Sequence, residues 1–314
     1  MAFPGRIQGG KRIQAACRAG AAQVFVHYLV PMALSELQTR VLTALAGIPV
    51  LLAVFWLGGP VLSCAVLVIC LLAFRELNSL YQAKGVGHSW WLVLAYVVLA
   101  PLTAGLPHSV DRHLTRGGVD FLHFWGGLTF IWLLILLLRE MFSRREEVLA
   151  SIGASVLIGL LSTLPFVPLV ALDRQLSPGT RSAVMLGLLL CTWATDTFAY
   201  FGGRLFGRHK LFERASPKKT VEGFLCGLAG SLAVGAGSGL LCPQGRLGQG
   251  LLIGALVGLL GPAGDLLESR LKRDAGVKDS ARMLPGHGGV LDRFDTWIFA
   301  APALYLVAWL GWLR

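Results

Sequence analysis

Residues 264–295 read GDLLESRLKRDAGVKDSARMLPGHGGVLDRFD, and they form the most highly charged stretch of a chain that is otherwise largely apolar. The stretch carries six acidic side chains and six Lys or Arg side chains. A carboxylate at the centre of a membrane helix costs about 2.5–3.5 kcal/mol on insertion scales, so carboxylates beside a bilayer normally have a partner or a function. We therefore expect the functional site in this stretch, with the apolar segments around it as its scaffold.

The composition of the 314 residues is that of an integral membrane protein, since 55% are hydrophobic and only 14% are charged. A bilayer span needs about 20 mostly apolar residues. The sequence therefore predicts an all-α, polytopic fold with about nine transmembrane helices. The candidate spans are approximately 41–57, 59–75, 90–107, 121–139, 149–171, 182–202, 217–241, 248–271 and 292–313.

The distribution of basic residues predicts a cytoplasmic N-terminus. Cytoplasmic loops collect Lys and Arg, and with nine spans and the N-terminus inside, 22 of the 28 basic residues fall in cytoplasmic segments. Merging the first two spans, which only Gly58, Gly59 and Pro60 separate, would place five basic residues on the wrong side. A helical hairpin is therefore predicted at these residues.

The chain divides into three predicted regions. Residues 1–34 form a basic N-terminal extension, which is either a segment lying on the membrane surface or sequence upstream of a true start at Met32; we favour the second. Residues 35–180 are scaffold helices, in which Glu76 is a helix-end charge that either reaches the site or is solvated at the interface; we favour the second. Residues 181–314 form the C-terminal region that is expected to carry the functional site, with its charged stretch at 265–295.

The net charge of +11 indicates anionic partners. Because the basic residues sit at membrane boundaries rather than on one soluble module, we expect membrane lipid and an anionic substrate, and no nucleic acid. The six cysteines form no CxxC pair, so neither a disulfide nor a zinc site is expected.

Two features outside the charged stretch are candidates for the same site. Asp196 lies within an apolar span, either to hold helices together through an arginine or to line the cytoplasmic mouth of a polar cavity. Ser216 and Pro217 suit the N-cap and first position of the seventh span. Lys218 and Lys219 would then oppose the helix dipole, which is reasonable where an anion binds; the alternative is ordinary flanking charge.

Inside the charged stretch, several groups share a helix face or a turn. Asp265, Glu268 or Ser269, and Lys272 recur every three or four residues, so they lie on one face. Asp292 and Asp295 also share a face, although Asp292 alone would be explained by helix capping. Hard carboxylate oxygens select Mg²⁺-like ions, which bind phosphates through their remaining positions. The glycines at 286, 288 and 289, around His287, allow backbone amides to approach a ligand closely.

The spacing of these residues resembles the signature of the phosphatidate cytidylyltransferases, also called CDP-diacylglycerol synthases. The matching run is Ser269-x-x-Lys272-Arg273-x4-Lys278-Asp279-x5-Pro285-Gly286-His287-Gly288-Gly289-x2-Asp292-Arg293-x-Asp295. The run from Asp196 to Tyr200, the Gly203-Arg204 pair and Gly207 that follow it, and the run from Ser216 to Gly223 also resemble this family. The similarity covers residues 180–313 specifically and the earlier spans only in hydropathy.

The resemblance implies a dimeric membrane enzyme that joins CTP to phosphatidate, giving CDP-diacylglycerol and diphosphate through metal-assisted attack of the lipid phosphate on the α-phosphate of CTP. Its active site would face the cytoplasm, in a bacterial inner membrane as we expect, and would use Mg²⁺ with a second cation such as K⁺. Carried onto this chain, Asp265 and Asp292 are the first candidates for metal ligands. Asp295, Asp279 and Asp196 would be further ligands or groups that hold the ligands in place.

Because both of these substrates are polyanions, we also expect roles for the cations and the turn. Lys218 and Lys219, with Arg293 or Lys278, would hold the triphosphate. Lys272 and Arg273 would meet the phosphatidate headgroup, and His287 would donate a hydrogen bond or hold the glycine turn. The remaining substrate-binding candidates are Ser269, Gly286, Gly288 and Gly289.

Two other function classes compete with this interpretation. An ion-coupled transporter also places carboxylates in membrane helices, but it predicts a midplane site between repeated halves, and no repeat is apparent. Another lipid enzyme that uses CTP, such as a polyprenol kinase, is a closer rival. A CDP-alcohol phosphotransferase is disfavoured because its DGxxAR run is missing.

Overall fold

A computed structural model of the chain describes residues 36–104, 121–241, 246–277 and 288–313. The predicted N-terminal extension, residues 1–34, lies outside the described residues. The described elements in chain order are α1 (Glu36–Leu57), α2 (Gly59–Ala83), α3 (Trp90–Ala104), α4 (Phe121–Met141), α5 (Val148–Thr163), α6 (Val167–Gln175), α7 (Pro178–Phe206), β1 (Lys210–Phe212), β2 (Ser216–Thr220), α8 (Val221–Leu241), α9 (Leu247–Asp274), α10 (Leu291–Phe294) and α11 (Trp297–Trp309).

The fold is a multi-pass helical membrane protein, which confirms the predicted fold class. Within the described ranges, six helical stretches are long and apolar enough to cross a bilayer: Gly59–Ala83, His123–Met141, Val148–Gln175, Pro178–Phe206, Val221–Leu241 and Leu247–Asp274. Three shorter apolar helices are Leu45–Leu57, Trp90–Ala104 and Trp297–Trp309. These nine stretches fall on the predicted spans, while the count of nine membrane crossings and the cytoplasmic N-terminus stay predictions.

The break between α1 and α2 occurs where the sequence predicts it. Gly58 and Gly59 have φ values of 59° and 49°, a region that glycine enters without steric cost. The amide of Gly59 donates to Asp173 Oδ2 at 2.8 Å, and Asp173 also pairs with Arg181 at 3.3 Å. A Cβ on Gly58 would lie 2.4 Å from Asp173 Oδ1, so only glycine fits this turn.

The helices of the C-terminal half approach one another closely because glycines line their contacts. A Cβ on Gly223 of α8 would lie 2.8 Å from the carbonyl oxygen of Ala199 in α7. On the other side of α8, a Cβ on Gly235 would lie 2.3 Å from the carbonyl oxygen of Gly250 in α9. Small residues at such contacts allow membrane helices to pack backbone to backbone, and α8 is therefore held between α7 and α9.

The start of α8 differs from the prediction. Ser216 and Pro217 lie in β2, which pairs antiparallel with β1, and they do not begin the helix. The helix begins at Val221, and the hydroxyl of Thr220 accepts the N–H of Gly223 at 3.1 Å, so Thr220 has the position and bond of the N-cap. The predicted cap was wrong because Ser216 takes part in strand pairing. Lys218 and Lys219 therefore lie on a strand, and a conflict with the helix dipole no longer explains them.

Candidate active site

A cavity of about 580 Å³ lies where α7, β2, α8 and α9 meet. Four residues of the predicted site line it, namely Asp196, Lys218, Lys219 and Asp265. Among the described residues, no Lys or Arg forms an ion pair with Asp196, so the cavity interpretation of this residue is favoured over a link between helices. The cavity thus joins carboxylates from α7 and α9 to lysines from β2 of the β1–β2 hairpin.

Asp265 ties β2 to α9 at the wall of the cavity. Its Oδ2 contacts the ammonium of Lys219, and its Oδ1 accepts the hydroxyl of Ser269 at 3.3 Å. The side chains of Lys219 and Asp265 are 28% and 31% exposed, so a ligand in the cavity has access to both. The predicted face of α9 that carries Asp265 and Ser269 is confirmed by this hydrogen bond.

Asp295 brings a third acidic group close to Asp265 and Asp196. It lies before α11 and is held against α9 at Gly264, where a Cβ would lie 2.1 Å from the carbonyl oxygen of Asp295. Burial, followed by the negative charges of Asp265 and Asp196, raises the pKa of Asp295 above its ordinary value. Three carboxylates from separate parts of the chain therefore concentrate negative charge beside the cavity.

A second cluster surrounds Asp292, also before α11. Lys272 Nζ lies 2.7 Å from Asp292 Oδ1 and 2.5 Å from Glu268 Oε2. The amide of Gly289 donates to Asp292 Oδ2 at 3.0 Å. Burial acts to raise the pKa of Asp292, but hydrogen bonds with Glu268, Lys272 and Gly289 outweigh it and hold that pKa below its usual range. Asp292 is therefore a carboxylate with its charge already compensated.

The two clusters are neighbours along one face of α9. Asp265 belongs to the first, while Glu268 and Lys272 belong to the second, one and two turns further along. Asp265 and Asp292, the first two predicted metal ligands, each contact a lysine in this structure.

The acidic groups suit a magnesium ion in kind, but the described residues do not form a finished metal site. No group of three or more His, Cys, Asp or Glu side chains within the described ranges is placed to hold a metal ion. The donors near the cavity are carboxylate oxygens, which are the ligands that Mg²⁺ prefers. The chemistry of these donors fits Mg²⁺, and Asp265 would become available to the ion once its contact with the ammonium of Lys219 is released.

Other predicted residues have different surroundings. Gly288 has a φ of 80°, and a Cβ there would lie 2.8 Å from Asp292 Oδ2, so this glycine serves the turn around Asp292. Arg273 and Arg293 are exposed. Four further candidates lie outside the described residues: Lys278, Asp279, Gly286 and His287.

Glu76 corrects the expectation that it is a solvated interface residue. It is 1% exposed, and its carboxylate accepts the backbone N–H groups of Val290 and Leu291, the latter at 2.9 Å. A scaffold helix thus holds the turn that carries Asp292. The sequence contained a signal for this contact. A carboxylate beside the bilayer is costly without a partner, and this argument applies to Glu76 as it does to the charged stretch.

Most of the lining residues were not among the predicted site residues. Tyr200, Arg204 and Thr220 all line the cavity. Tyr200 and Arg204 follow Asp196 at intervals of four residues, which places them on the same helix face. That spacing was the available signal.

The sequence matches the family model described as the cytidylyltransferase family over residues 38–310. A phosphatidate cytidylyltransferase of Synechocystis sp. is 34% identical over 294 residues, covering 85% of this chain and 94% of the relative. A protein with the same name from Staphylococcus haemolyticus is 32% identical over 276 residues, covering 86% and 98%. Another from Staphylococcus aureus (strain COL) is 32% identical over 278 residues, again covering 86% and 98%.

Proposed function

The chain belongs to the cytidylyltransferase family, and we propose that this enzyme transfers the cytidylyl group of CTP to phosphatidate, forming CDP-diacylglycerol and diphosphate. The observation that carries the proposal is the cavity in which Asp196 and Asp265 face Lys218 and Lys219. The names of the bacterial relatives support the choice of substrates and a bacterial inner membrane.

The reaction needs positioning and charge stabilisation rather than a nucleophilic side chain. An oxygen of the phosphatidate phosphate attacks the α-phosphorus of CTP, and the new P–O bond forms as the bond to the bridging oxygen of the β-phosphate breaks. Diphosphate leaves with that oxygen. The barrier arises from the repulsion between two polyanions and from the charge that develops on the leaving group. Fixed cations lower the free-energy cost of each.

The lysines of β2 would bind the phosphates of CTP. Lys218 is exposed and lines the cavity, and within the described ranges it has no ion-pair partner. Lys219 contacts Asp265, and it would move to a phosphate when a metal ion takes that carboxylate. Lys272 does not line the cavity, and it pairs with Asp292 and Glu268.

Asp196, Asp265 and Asp295 are the residues that would hold Mg²⁺ near the cavity, with Asp292 and Asp279 as further candidates. When bound, Mg²⁺ would neutralise charge on the phosphates of CTP and on the departing diphosphate. A second cation such as K⁺ and a homodimeric state belong to the same proposal, as does an active site that faces the cytoplasm.

The test is the purified protein with CTP labelled at the α-phosphate and phosphatidate in detergent micelles. We expect labelled CDP-lipid and unlabelled diphosphate, loss of turnover in EDTA, and recovery with added Mg²⁺. Phosphorylated lipid together with CDP would instead indicate a kinase. Absence of any product from CTP with phosphatidate would refute the proposal and favour transport.

A further inference from the structure

The last turns of α7 present one row of polar side chains to the cavity. Asp196, Tyr200 and Arg204 are spaced by four residues, and all three line the cavity. All three are also exposed, Tyr200 to 60%. The row therefore lies at an opening of the cavity.

The two sides of this row face different surroundings. On one side, Thr195 and Ala199 pack against α8, where a Cβ on Gly227 would lie 2.9 Å from the carbonyl oxygen of Thr195. On the other side, Phe201 and Leu205 are 55% and 71% exposed. Because α7 is a candidate membrane span, these exposed apolar side chains would face lipid. A molecule bound along the row would contact the cavity on one side and the bilayer on the other.

Arg204 is directed along this row. A guanidinium N–H donates to the hydroxyl of Tyr200 at 3.3 Å, so the side chain extends back toward the start of α7. Helical side chains generally tilt in that direction. The guanidinium consequently lies deeper along α7 than the Arg204 backbone does.

The charge of Arg204 is available to a ligand. Within the described ranges no carboxylate contacts its guanidinium, whereas Lys219 contacts Asp265 and Lys272 contacts Asp292. An arginine in the last turn of a helix is also common because of the helix dipole and the excess of basic residues in cytoplasmic loops. Those general causes do not explain why its side chain lines the cavity and contacts Tyr200.

We propose that Arg204 and Tyr200 bind the phosphate of the lipid substrate at this lateral opening, and that Arg204 sets the affinity for phosphatidate. This inference rests on the proposed function. A guanidinium binds a terminal phosphate through two parallel N–H donors, and the tyrosine hydroxyl supplies a third. The acyl chains then pass Phe201 toward the interior of the bilayer while the phosphate faces the cavity. This assigns the headgroup to α7 rather than to Lys272 and Arg273, and it agrees with the existing contacts of Lys272 with Glu268 and Asp292.

The test measures the KM for phosphatidate and the KM for CTP separately, with the lipid given as a mole fraction of mixed micelles. For Arg204→Gln we expect the KM for phosphatidate to rise about tenfold to a hundredfold. This factor corresponds to the loss of hydrogen bonds to a charged group, expressed as a change in affinity. The KM for CTP should stay within about twofold of wild type, because the substitution removes no contact with CTP. The KM of Arg204→Lys for phosphatidate should lie between those of wild type and Arg204→Gln, since an ammonium keeps the charge but loses the paired donors.

Two matched variants separate a specific contact from a general effect of charge. Arg208→Gln removes a neighbouring exposed arginine that does not line the cavity, and it should leave both KM values unchanged. Lys218→Gln should raise the KM for CTP and leave that for phosphatidate unchanged. Stabilisation by CTP in a thermal unfolding assay verifies that the Arg204 and Arg208 variants are folded, and a cooperative unfolding transition without ligand does so for Lys218→Gln. Arg204→Lys decides the question if Arg204→Gln does not fold.

The inference is overturned if Arg204→Gln leaves the KM for phosphatidate unchanged, raises both KM values equally, or is matched by Arg208→Gln. Those results concern the inference alone, because they require an active wild-type enzyme. A wild-type protein that forms no CDP-lipid contradicts the proposed function itself.

Discussion

Asp265 is the residue at which the parts of the site meet. It lines the cavity, contacts Lys219 of the hairpin and accepts the hydroxyl of Ser269 from its own helix. A carboxylate that fixes a cation opposite a reacting phosphate acts mainly in the transition state, where charge develops.

Asp265→Asn should therefore lower kcat about a hundredfold to a thousandfold, as expected for the loss of one fixed electrostatic group. The control is Asp274→Asn, which removes a carboxylate from the same helix that contacts Lys84 on the surface and is 62% exposed. Initial rates of CDP-lipid formation measure both. Near wild-type, Mg²⁺-dependent turnover in Asp265→Asn would remove this residue from the site.

Lys272 provides a contrast between buried and exposed ion pairs. Its side chain is 16% exposed and compensates Glu268 and Asp292, whose side chains are 2% and 12% exposed. Lys272→Met leaves the hydrogen-bonded pair of Glu268 and Asp292 without its cation and should cost about 3–5 kcal/mol in the free energy of unfolding.

Lys84→Met removes only the exposed pair with Asp274 and should cost about 0–1 kcal/mol. Unfolding titrations in detergent compare the two variants. Equal losses of stability would contradict the buried arrangement of Lys272.

At the scale of the elements, the approach of α9 to the segment before α11 depends on Gly264. Any side chain there would collide with the backbone of Asp295. The same contact brings Asp295 toward Asp265, so packing and site geometry depend on one glycine.

Gly264→Ala should therefore lower both stability and turnover, with a cost of about 1–3 kcal/mol for overpacking. Gly237→Ala is the control, because a Cβ there meets nothing within 4 Å and alanine favours the helix by about 0.5–1 kcal/mol. Thermal unfolding and initial rates measure both. A fully active and stable Gly264→Ala protein would show that the two elements do not approach as described.

The contact between α2 and the turn before α10 is the second link between elements. Glu76 accepts two consecutive backbone N–H groups, and hydrogen bonds to a charged group contribute about 1.5–3 kcal/mol. Glu76→Gln should speed hydrogen exchange at the amides of Val290 and Leu291 and lower kcat, because the turn that carries Asp292 becomes less fixed.

Glu147→Gln is the matched control, since Glu147 is exposed and makes no capping hydrogen bond from its side chain. Exchange rates at Val290 and Leu291 should be unchanged in this variant. Unaltered exchange in Glu76→Gln would mean that other contacts hold the turn.

At the scale of the whole molecule, the site lies at one end of the helical bundle. The hairpin contacts the last turns of α9 through Lys219 and Asp265, and Lys84 after α2 contacts Asp274 at the end of α9. Arg246, before α9, lies at the other end of that helix. The excess of basic residues in alternate loops predicts that the end with the site faces the cytoplasm.

Labelling of single cysteines tests this orientation. In a cysteine-free background, Arg214→Cys between the strands should react with a membrane-impermeant thiol reagent only in inverted vesicles. Arg246→Cys should react only in right-side-out vesicles, and it serves as the opposite control. The reverse pattern would place the site on the outer side.

Much of the fold followed from the sequence because its causes are local. Runs of apolar residues predicted where the spans lie, and two glycines marked the break between α1 and α2. Asp196, Lys218, Lys219 and Asp265 were also selected from the sequence, and the structure brings them into one cavity. The start of α8 was wrong, because a cap signal at Ser216 competes with a strand pairing that local rules do not anticipate.

The sequence by itself determined that this is a multi-pass helical protein with a charged site at the helix ends, because the cost of exposing charges or unpaired backbone to lipid acts on each segment separately. Only the tertiary structure decided that Glu76 holds the turn before Asp292, that Arg204 lines the cavity, and that Lys272 lies among buried carboxylates. Such contacts join residues up to 215 positions apart. They depend on which helices lie side by side, and hydropathy does not encode that arrangement.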